Sequence, residues 1–532
     1  MWNRCLLGVL VPVALVAFMA LACTSDEGAA TDPAASGVAT PTKELDGRGD
    51  STTAQIVDLR PLGTSDDRRI VDDLGREVLL RGANLNSLGE YWQGDPDHPP
   101  TAPATDADWE EMARRGFSVV RLIINWSRVE PERGRIDQAY LDDVDAYVTA
   151  AGDQGIYTVI DMHQDAYSAF IATEDAAECG GDPTARPGKG WDGAPEWATI
   201  TDDLSTCVTG DRNSAPAVIA AWNHFYDDTD GIRQRFVASW AAIAERFAGR
   251  AEVAGYDLIN EPEVSRPAAA LQPLYEGLLA ETIDAIRSAE DGAPFAHLIF
   301  VEPAVPAGDP TLGPIIPDPA AAGVETIGIV AAPHNYAESI DTLGLTIEET
   351  FDLFLGVSEG LGVATWIGEY GFWDTSDETL AKVHRYAAAE DTHALGGAWW
   401  QWRQVCGDPH HVTWGEPVEG EVVHLNVVGC PTDVDLGPNE AFLSVLGRAY
   451  PRATPGRITD LVSDPDTGEL TVEAAGAPVG VEVVVWTPTG SDTHAVSTAG
   501  LESLTEHGVD GGRIVIATTV APDWRLEIAP AE

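Results

Sequence analysis

The sequence predicts an α/β protein whose larger part is a (β/α)8 TIM barrel and whose C-terminal part is an antiparallel β-sandwich. Three observations carry this. Between residues 67 and 452, apolar runs of strand length alternate with helical patterns until eight strands have passed, the pattern of a parallel sheet closed into a barrel. Polar residues stand at the ends of several runs, as in Leu258-Ile259-Asn260-Glu261-Pro262 and Trp366-Ile367-Gly368-Glu369-Tyr370, where barrel enzymes carry their chemistry. Beyond Pro451 the runs alternate at 469–474, 480–487, 513–518 and 524–528, with turns such as Asp464-Pro465-Asp466-Thr467-Gly468 between them, which reads as a small sandwich over 453–532 that binds sugar or, the favoured reading, braces the barrel.

The elements follow in order. Residues 1–22 hold Arg4 and an apolar run over 6–21, a signal-peptide core too short for a spanning helix, so the protein is expected to be exported, secreted or at the cell surface. The run ends in Ala20-Leu21-Ala22-Cys23, which resembles a bacterial lipoprotein signal with Cys23 as the lipidated residue; plain cleavage beside a chance cysteine is the alternative. Residues 23–66, rich in Ser, Thr, Ala, Asp, Gly and Pro, cannot bury enough apolar surface to order themselves and read as a tether. Strand one is 78–84. A helix starts at Thr105, whose Thr105-x-x-Asp108 pattern fits a capping box, and stops at Gly116. Strand two is 117–124, then a helix over 138–153, strand three at 157–161, a helix over 233–250 and strand four at 253–260. A helix at 271–289, strand five at 298–302, strand six at 327–333, a helix over 347–361, strand seven at 365–369, a helix over 379–395, strand eight at 397–401 and a helix at 440–448 complete the barrel. The longest excess is the insertion 166–230 after strand three, on the face where this fold builds its sites.

Setting aside Cys5 and Cys23 leaves four cysteines, and in an exported chain these read as two disulfides. The sequence-local pairing is Cys179–Cys207 with Cys406–Cys430, out of three connectivities. With 31 Lys plus Arg against 86 Asp plus Glu, the net charge is −55, which repels phosphate backbones and excludes nucleic acid as a partner. The composition, 44% hydrophobic and 22% charged, is globular, and a monomer is expected.

Two glutamates at the mouths of strands four and seven can face each other. Facing carboxyls are what glycosidic cleavage needs, one to protonate the leaving oxygen and one to attack the sugar carbon. Asp161, His163 and Asp165 alternate along strand three, so their side chains share a face while strand geometry lasts. Such a set suits sugar hydroxyls more simply than a metal, which needs further donors. On strand eight, Trp400 and Trp402 are expected on one face and Trp399 on the other.

Asn260-Glu261-Pro262, Glu369, Arg121 on strand two, His163 on strand three and His334-x-Tyr336 on strand six together resemble the clan A glycoside hydrolases, specifically family five. The stretches Asp161-Met162-His163-Gln164-Asp165-Ala166-Tyr167-Ser168, Gly193-Ala194-Pro195-x-Trp197-Ala198 and Tyr256-Asp257-Leu258-Ile259-Asn260-Glu261-Pro262 are similar to bacterial endoglycoceramidases, which release intact oligosaccharide from ceramide. The resemblance implies that Glu261 is the acid/base, with a raised pKa, and Glu369 the nucleophile of a retaining reaction, with carboxyls roughly 5 Å apart. It implies that Asn260 bonds the sugar 2-hydroxyl, that Arg121 and Tyr336 hold Glu369 charged and aimed with His334 in support, and that Trp400 floors the reacting sugar. Asp161, His163 and Asp165 complete the substrate-binding set. Neither metal nor organic cofactor is called for. Two loops depart from the family pattern: 84–92 lacks an expected lysine, and 403–411 differs throughout.

The partner expected is a glycosphingolipid in micelles or membranes, with Trp191, Trp197, Phe170 and Phe225 as candidates for an apolar slot. A β-glucanase or exo-β-glucosidase of the same clan is the alternative enzyme. A non-catalytic sugar-binding lipoprotein is a third possibility, disfavoured by the carboxyl pair.

Overall fold

A computed structural model describes residues 53–94, 97–173, 176–181, 183–340, 344–411, 419–489 and 494–530. The signal segment, Cys23 and the tether up to residue 52 lie outside the described residues. Three short strands, β1 (Leu62–Thr64), β2 (Ile70–Asp72) and β3 (Arg76–Val78), form an antiparallel meander. Next come the barrel strands β4 (Gly82–Leu85), β5 (Val119–Ile124), β6 (Tyr157–Met162), β7 (Val253–Asp257), β8 (Leu298–Val301), β9 (Ile329–Ala331), β10 (Ala364–Thr365), β11 (Ile367–Tyr370) and β12 (Gly397–Trp399). The helices are α1 (Asp106–Arg114), α2 (Trp126–Val129), α3 (Gln138–Asp153), α4 (Pro216–Tyr226), α5 (Ile232–Phe247), α6 (Ala268–Ala289), α7 (Ile347–Leu361), α8 (Asp377–Thr392) and α9 (Glu440–Leu446).

All barrel pairings are parallel, in the order β10-β9-β8-β7-β6-β5-β4-β12-β11. β10 and β11 are two halves of strand seven, interrupted at Trp366, so the sheet closes on itself with eight strands. The buried indole of Trp366 donates to the Leu80 carbonyl at 2.8 Å. Strands such as β5, Val-Val-Arg-Leu-Ile-Ile, are buried at every position, because one face meets the helices and the other the barrel interior. The capping box at Thr105 and Asp108 starts α1 as expected.

Strand one differs from expectation. Residues 76–78 belong to the sandwich, and the barrel strand begins at Gly82, where an added Cβ would meet the Val119 carbonyl oxygen at 1.7 Å. Only glycine permits so close an approach between neighbouring strands.

After β12, strands β13 (Gly420–Val422), β14 (Asn426–Cys430) and β15 (Val434–Pro438) form a small antiparallel sheet absent from the sequence reading. The sandwich comprises β16 (Tyr450–Pro455), β17 (Arg457–Ser463), β18 (Leu470–Ala475), β19 (Glu482–Pro488), β20 (His494–Ala499), β21 (Leu501–Val509), β22 (Gly512–Thr519) and β23 (Trp524–Pro530). One sheet runs β1-β2-β3-β16-β19-β22-β21 and the other β17-β18-β23-β20. Residues 62–78, assigned from sequence to tether and barrel, thus complete the C-terminal unit. Their short runs pair only across a sequence gap that no local pattern reveals.

The two units share a core. Leu80, Tyr157, Phe300 and Trp366 at the barrel base are continuous with Val472, Val485, Trp486 and Leu526 of the sandwich, and the Tyr450 hydroxyl donates to the Gly116 carbonyl at 2.8 Å. Both disulfides, Cys179–Cys207 and Cys406–Cys430, have the sequence-local pairing. Among the described residues no helix is long and apolar enough to cross a membrane.

Candidate active site

The C-terminal ends of the barrel strands converge on one guanidinium. Arg121 comes from the middle of β5, points into the barrel and is fully buried. It meets Glu369 at 2.8 Å, Asp257 and Glu302 at 2.9 Å and Asp161 at 3.0 Å. It also donates to the side-chain oxygens of Asn84 and Asn260, at 3.1 and 3.0 Å. Burial pushes Asp161 up to about 8 and Asp257 up to about 6, against the opposing charge of Arg121. One cation therefore need not balance four full negative charges at neutral pH.

Glu369, near the end of β11, is held at both oxygens: Arg121 takes Oε1, and the Tyr336 hydroxyl donates to Oε2 at 2.8 Å. Burial raises its pKa despite the charges of His334 and Arg121. Glu261 follows β7, and its side chain is 28% exposed against 6% for Glu369, so it is the more open of the two. One oxygen of each carboxylate and a ring nitrogen of His334 lie within 4.8 Å of one another.

The Glu261 backbone has φ of 35°, a left-handed conformation that costs a non-glycine residue about 1–3 kcal/mol unless its surroundings impose it. Here they do. The Glu261 N–H donates to Glu302 Oε2 at 2.8 Å, and the Gln164 amide donates to the carbonyls of Asn260 and Glu261, at 2.8 and 3.0 Å.

The protonation expected of Glu261 is reversed. Burial alone would raise it, but the His334 ring donates from Nδ1 to Oε1 at 2.8 Å, and the charges of His334 and Arg212 hold the carboxyl below its usual value. His334 lies among Glu261, Glu369 and Glu302, and their charges hold the ring protonated against burial. The charges around this hydrogen-bonded pair thus favour the proton on the His334 ring over the Glu261 carboxylate.

Asp161, His163 and Asp165 do not converge on one point, because β6 ends at Met162. Asp161 faces Arg121 and bonds His163 Nδ1 at 2.7 Å. Asp165 instead bonds Arg212, from the insertion, and His410 at 3.1 Å, from the loop after β12. The oxygens of Asp161, Asp257 and Glu302 lie close enough to share a cation, and Arg121 occupies that role. His163, Asp165 and Asp192 form a third set of close donors, with Asn125 bonded to Asp192 at 2.7 Å. Trp400 stacks on His163 with ring centroids 5.4 Å apart. Trp402 does not share its face. β12 ends at Trp399, the alternation lapses, and Trp402 turns outward to Asp108 and Phe117.

The structure thus gathers Glu261, Glu369, Arg121, His163, His334, Tyr336, Asn260, Asp161, Asp165 and Trp400 at one mouth. It adds Glu302, Asp257, Arg212, Asp192 and His410. Glu302, just past β8, and Asp257, a buried acid that is the last residue of β7, carried a legible strand-end signal. Arg212 and His410 lie in irregular insertions without one. Of the proposed slot residues, Phe225 packs on Trp126 in the core and Trp197, half-buried, packs on the same indole, Trp191 lies under Arg212 and Lys189, and Phe170 is exposed.

Residues 71–405 match the family model Cellulase (glycosyl hydrolase family 5). The chain is 25% identical over 502 residues to endoglycoceramidase I of Rhodococcus hoagii (strain 103S), covering 88% of this chain and 85% of that protein. It is 36% identical to a solved endogalactoceramidase, with a TM-score of 0.80 over 88% of this chain and 100% of the other. Endo-glycoceramidase II from Rhodococcus sp., solved as a lactosyl-enzyme intermediate, is 24% identical over 87% of this chain and 100% of its own, with a TM-score of 0.66, a likeness of fold.

Proposed function

The chain belongs to glycosyl hydrolase family 5, and from that premise we propose that it is a retaining endo-β-glycosidase that hydrolyses the bond between sugar and ceramide in glycosphingolipids. The observation that carries the retaining mechanism is the approach of Glu261 and Glu369 to within 4.8 Å. Carboxyls about 5–5.5 Å apart leave no room for a water between them and the sugar, so one must attack directly. The substrate class is supported by the likeness to endoglycoceramidases along most of the chain.

In this reading Glu369, aimed by Arg121 and Tyr336, attacks the anomeric carbon and forms a glycosyl ester. His334 passes its Nδ1 proton to Glu261, which delivers it to the departing oxygen. Glu261 then takes a proton from the water that attacks the ester and returns it to His334, and Glu369 is released as a carboxylate. Loss of the Glu369 charge in the intermediate removes one of the negative groups holding His334 protonated, which favours this redistribution. Asn260, its oxygen fixed by Arg121, lies beside the 2-hydroxyl of a sugar resting on Trp400.

The test is incubation with lactosylceramide, a galactosyl-series glycolipid and soluble cello-oligosaccharides. Intact sugar should be released from a glycolipid, Glu369→Gln should abolish turnover, and azide should rescue Glu369→Gly with formation of a glycosyl azide. Better cleavage of cello-oligosaccharides would put the β-glucanase reading in its place. Near-normal activity in Glu369→Gln would overturn the nucleophile.

A further inference from the structure

The segment just past β6 reaches the end of β7 through one buried amide. Gln164 follows Met162 and His163, and its Nε2 donates to the carbonyls of Asn260 and Glu261 at once, at 2.8 and 3.0 Å. Its backbone carbonyl accepts from the Asn260 side chain at 3.1 Å. An extended strand turns successive residues to opposite sides, so one NH2 group reaches both carbonyls because the chain is bent at Glu261, whose φ is 35°. The amide is itself held. Its Oε1 accepts from the Tyr167 N–H at 2.8 Å, across a tight turn in which Ala166 and Tyr167 have φ of 47° and 74°. That turn rests on Gly193 of the insertion. The Ala194 N–H donates to the Tyr167 carbonyl at 2.7 Å, and a Cβ added to Gly193, whose φ is 119°, would lie 2.6 Å from both the Gln164 Cβ and the Tyr167 carbonyl oxygen. Glycine is what lets the insertion close on Gln164.

We propose that Gln164 is a positioning residue for the acid/base and that Gly193 seats it: the amide selects the bent Asn260–Glu261 backbone from which the Glu261 carboxyl faces the leaving oxygen. This rests on the two-glutamate reading above. The two backbone polar groups of Glu261 are fixed from different strands, the N–H by Glu302 after β8 and the carbonyl by Gln164 after β6. The side-chain partners, His334 at 2.8 Å from Oε1 and Arg212 at 3.7 Å from Oε2, meet the carboxylate only once the backbone has aimed it. A left-handed non-glycine residue persists where its surroundings over-determine it, and removing one of the two clamps lets the peptide turn back. Glu369 is held separately, by Arg121 and Tyr336. Loss of the Gln164 donors therefore disturbs proton delivery and leaves the attacking carboxylate in place.

The experiment compares kcat/KM for phenyl and 2,4-dinitrophenyl β-lactosides in the full chain and its Gln164→Met, Gly193→Ala and Glu261→Gln variants. Dinitrophenolate departs without a proton, whereas phenolate needs one. Because a well-placed general acid contributes about 10²–10⁴-fold, the phenyl-to-dinitrophenyl ratio should fall at least ten-fold in Gln164→Met and in the same direction in Gly193→Ala. A crystal structure of Gln164→Met should show Glu261 out of the left-handed region while Glu369 stays on Arg121 and Tyr336. Equal losses on both lactosides would mean that Gln164 only supports the fold, and an unchanged ratio would mean that Glu261 keeps its place without it; either overturns the proposal, as does a Glu261 φ still near 35°. Should Gln164→Met fail to fold, the ratio and the crystal structure of Gly193→Ala decide in the same way, and if the wild type opens neither lactoside the Glu261 φ decides. An unchanged ratio in Glu261→Gln refutes the acid/base assignment and the proposal with it, whereas a fall there without one in Gln164→Met refutes the proposal alone.

Discussion

Replacing Arg121 by methionine tests the centre of the site most directly. The side chain is fully buried, and its guanidinium lies 2.8–3.0 Å from four carboxyl groups. At about 3 Å and an effective dielectric of about 20, each full pair attracts by about 5 kcal/mol before desolvation. Partial protonation of Asp161 and Asp257 and the cost of burial reduce the net loss to about 3–5 kcal/mol, as for other broken buried pairs. Thermal unfolding should show the loss as a lowered midpoint. The activity profile is more specific. An opposite charge in contact lowers a carboxyl pKa by about 1–3 units, so its removal should raise Glu369 further. Glu369 acts ionised, and activity appears as pH rises through its pKa, so the acid limb of kcat/KM should move up by about 1–3 units. Arg121→Lys should restore part of the shift, since an ammonium cannot span all four carboxyls. A stationary or lowered acid limb in folded Arg121→Met would refute the charge network as the control on Glu369.

Two further outcomes follow from other contacts. Cys179–Cys207 and Cys406–Cys430 span 28 and 24 residues, and each should contribute about 3 kcal/mol through the unfolded chain; serine replacement of either pair should lower stability accordingly, and peptide mapping that finds another pairing would contradict the connectivity. Burial alone would lower His410, but Asp408 and Asp165 lift it to about 9. Because the folded value exceeds the unfolded value of about 6.5, its contribution of at most about 3 kcal/mol is complete below pH 6.5 and lost as pH rises through about 9. The unfolding midpoint should therefore drop more between pH 6 and 9.5 in the wild type than in His410→Gln, and equal drops would contradict the assignment.

Much of the site was legible because barrel chemistry sits at strand ends. Glu261 and Glu369 could be placed once the strands were counted and His163 by its alternation along strand three, while Arg121 and the His334-x-Tyr336 pair were marked by the family resemblance. What depends on contacts across the barrel was not legible. The lowered pKa of Glu261 comes from a histidine two strands away. Trp402 was misplaced because strand alternation is informative only while the strand lasts. Gly82 was read as mid-strand, although the 1.7 Å approach to Val119 makes it the start. Arg212 and His410 lie in segments whose course is set by a disulfide and by loop contacts rather than by periodicity.

The pairing of β3 with β16 has a consequence for the order of assembly. Val78 lies opposite Ala453, so the first strands of the chain wait for partners made after the whole barrel. Until then Tyr157, Phe300 and Trp366 at the barrel base lack their cover. Loops this long close slowly, so the nascent chain carries an uncovered apolar base from the completion of the barrel strands until the last strands are made. A fragment ending at residue 452 would keep every residue proposed to touch substrate and still be left permanently at that stage, which makes the last eighty residues part of how the barrel matures.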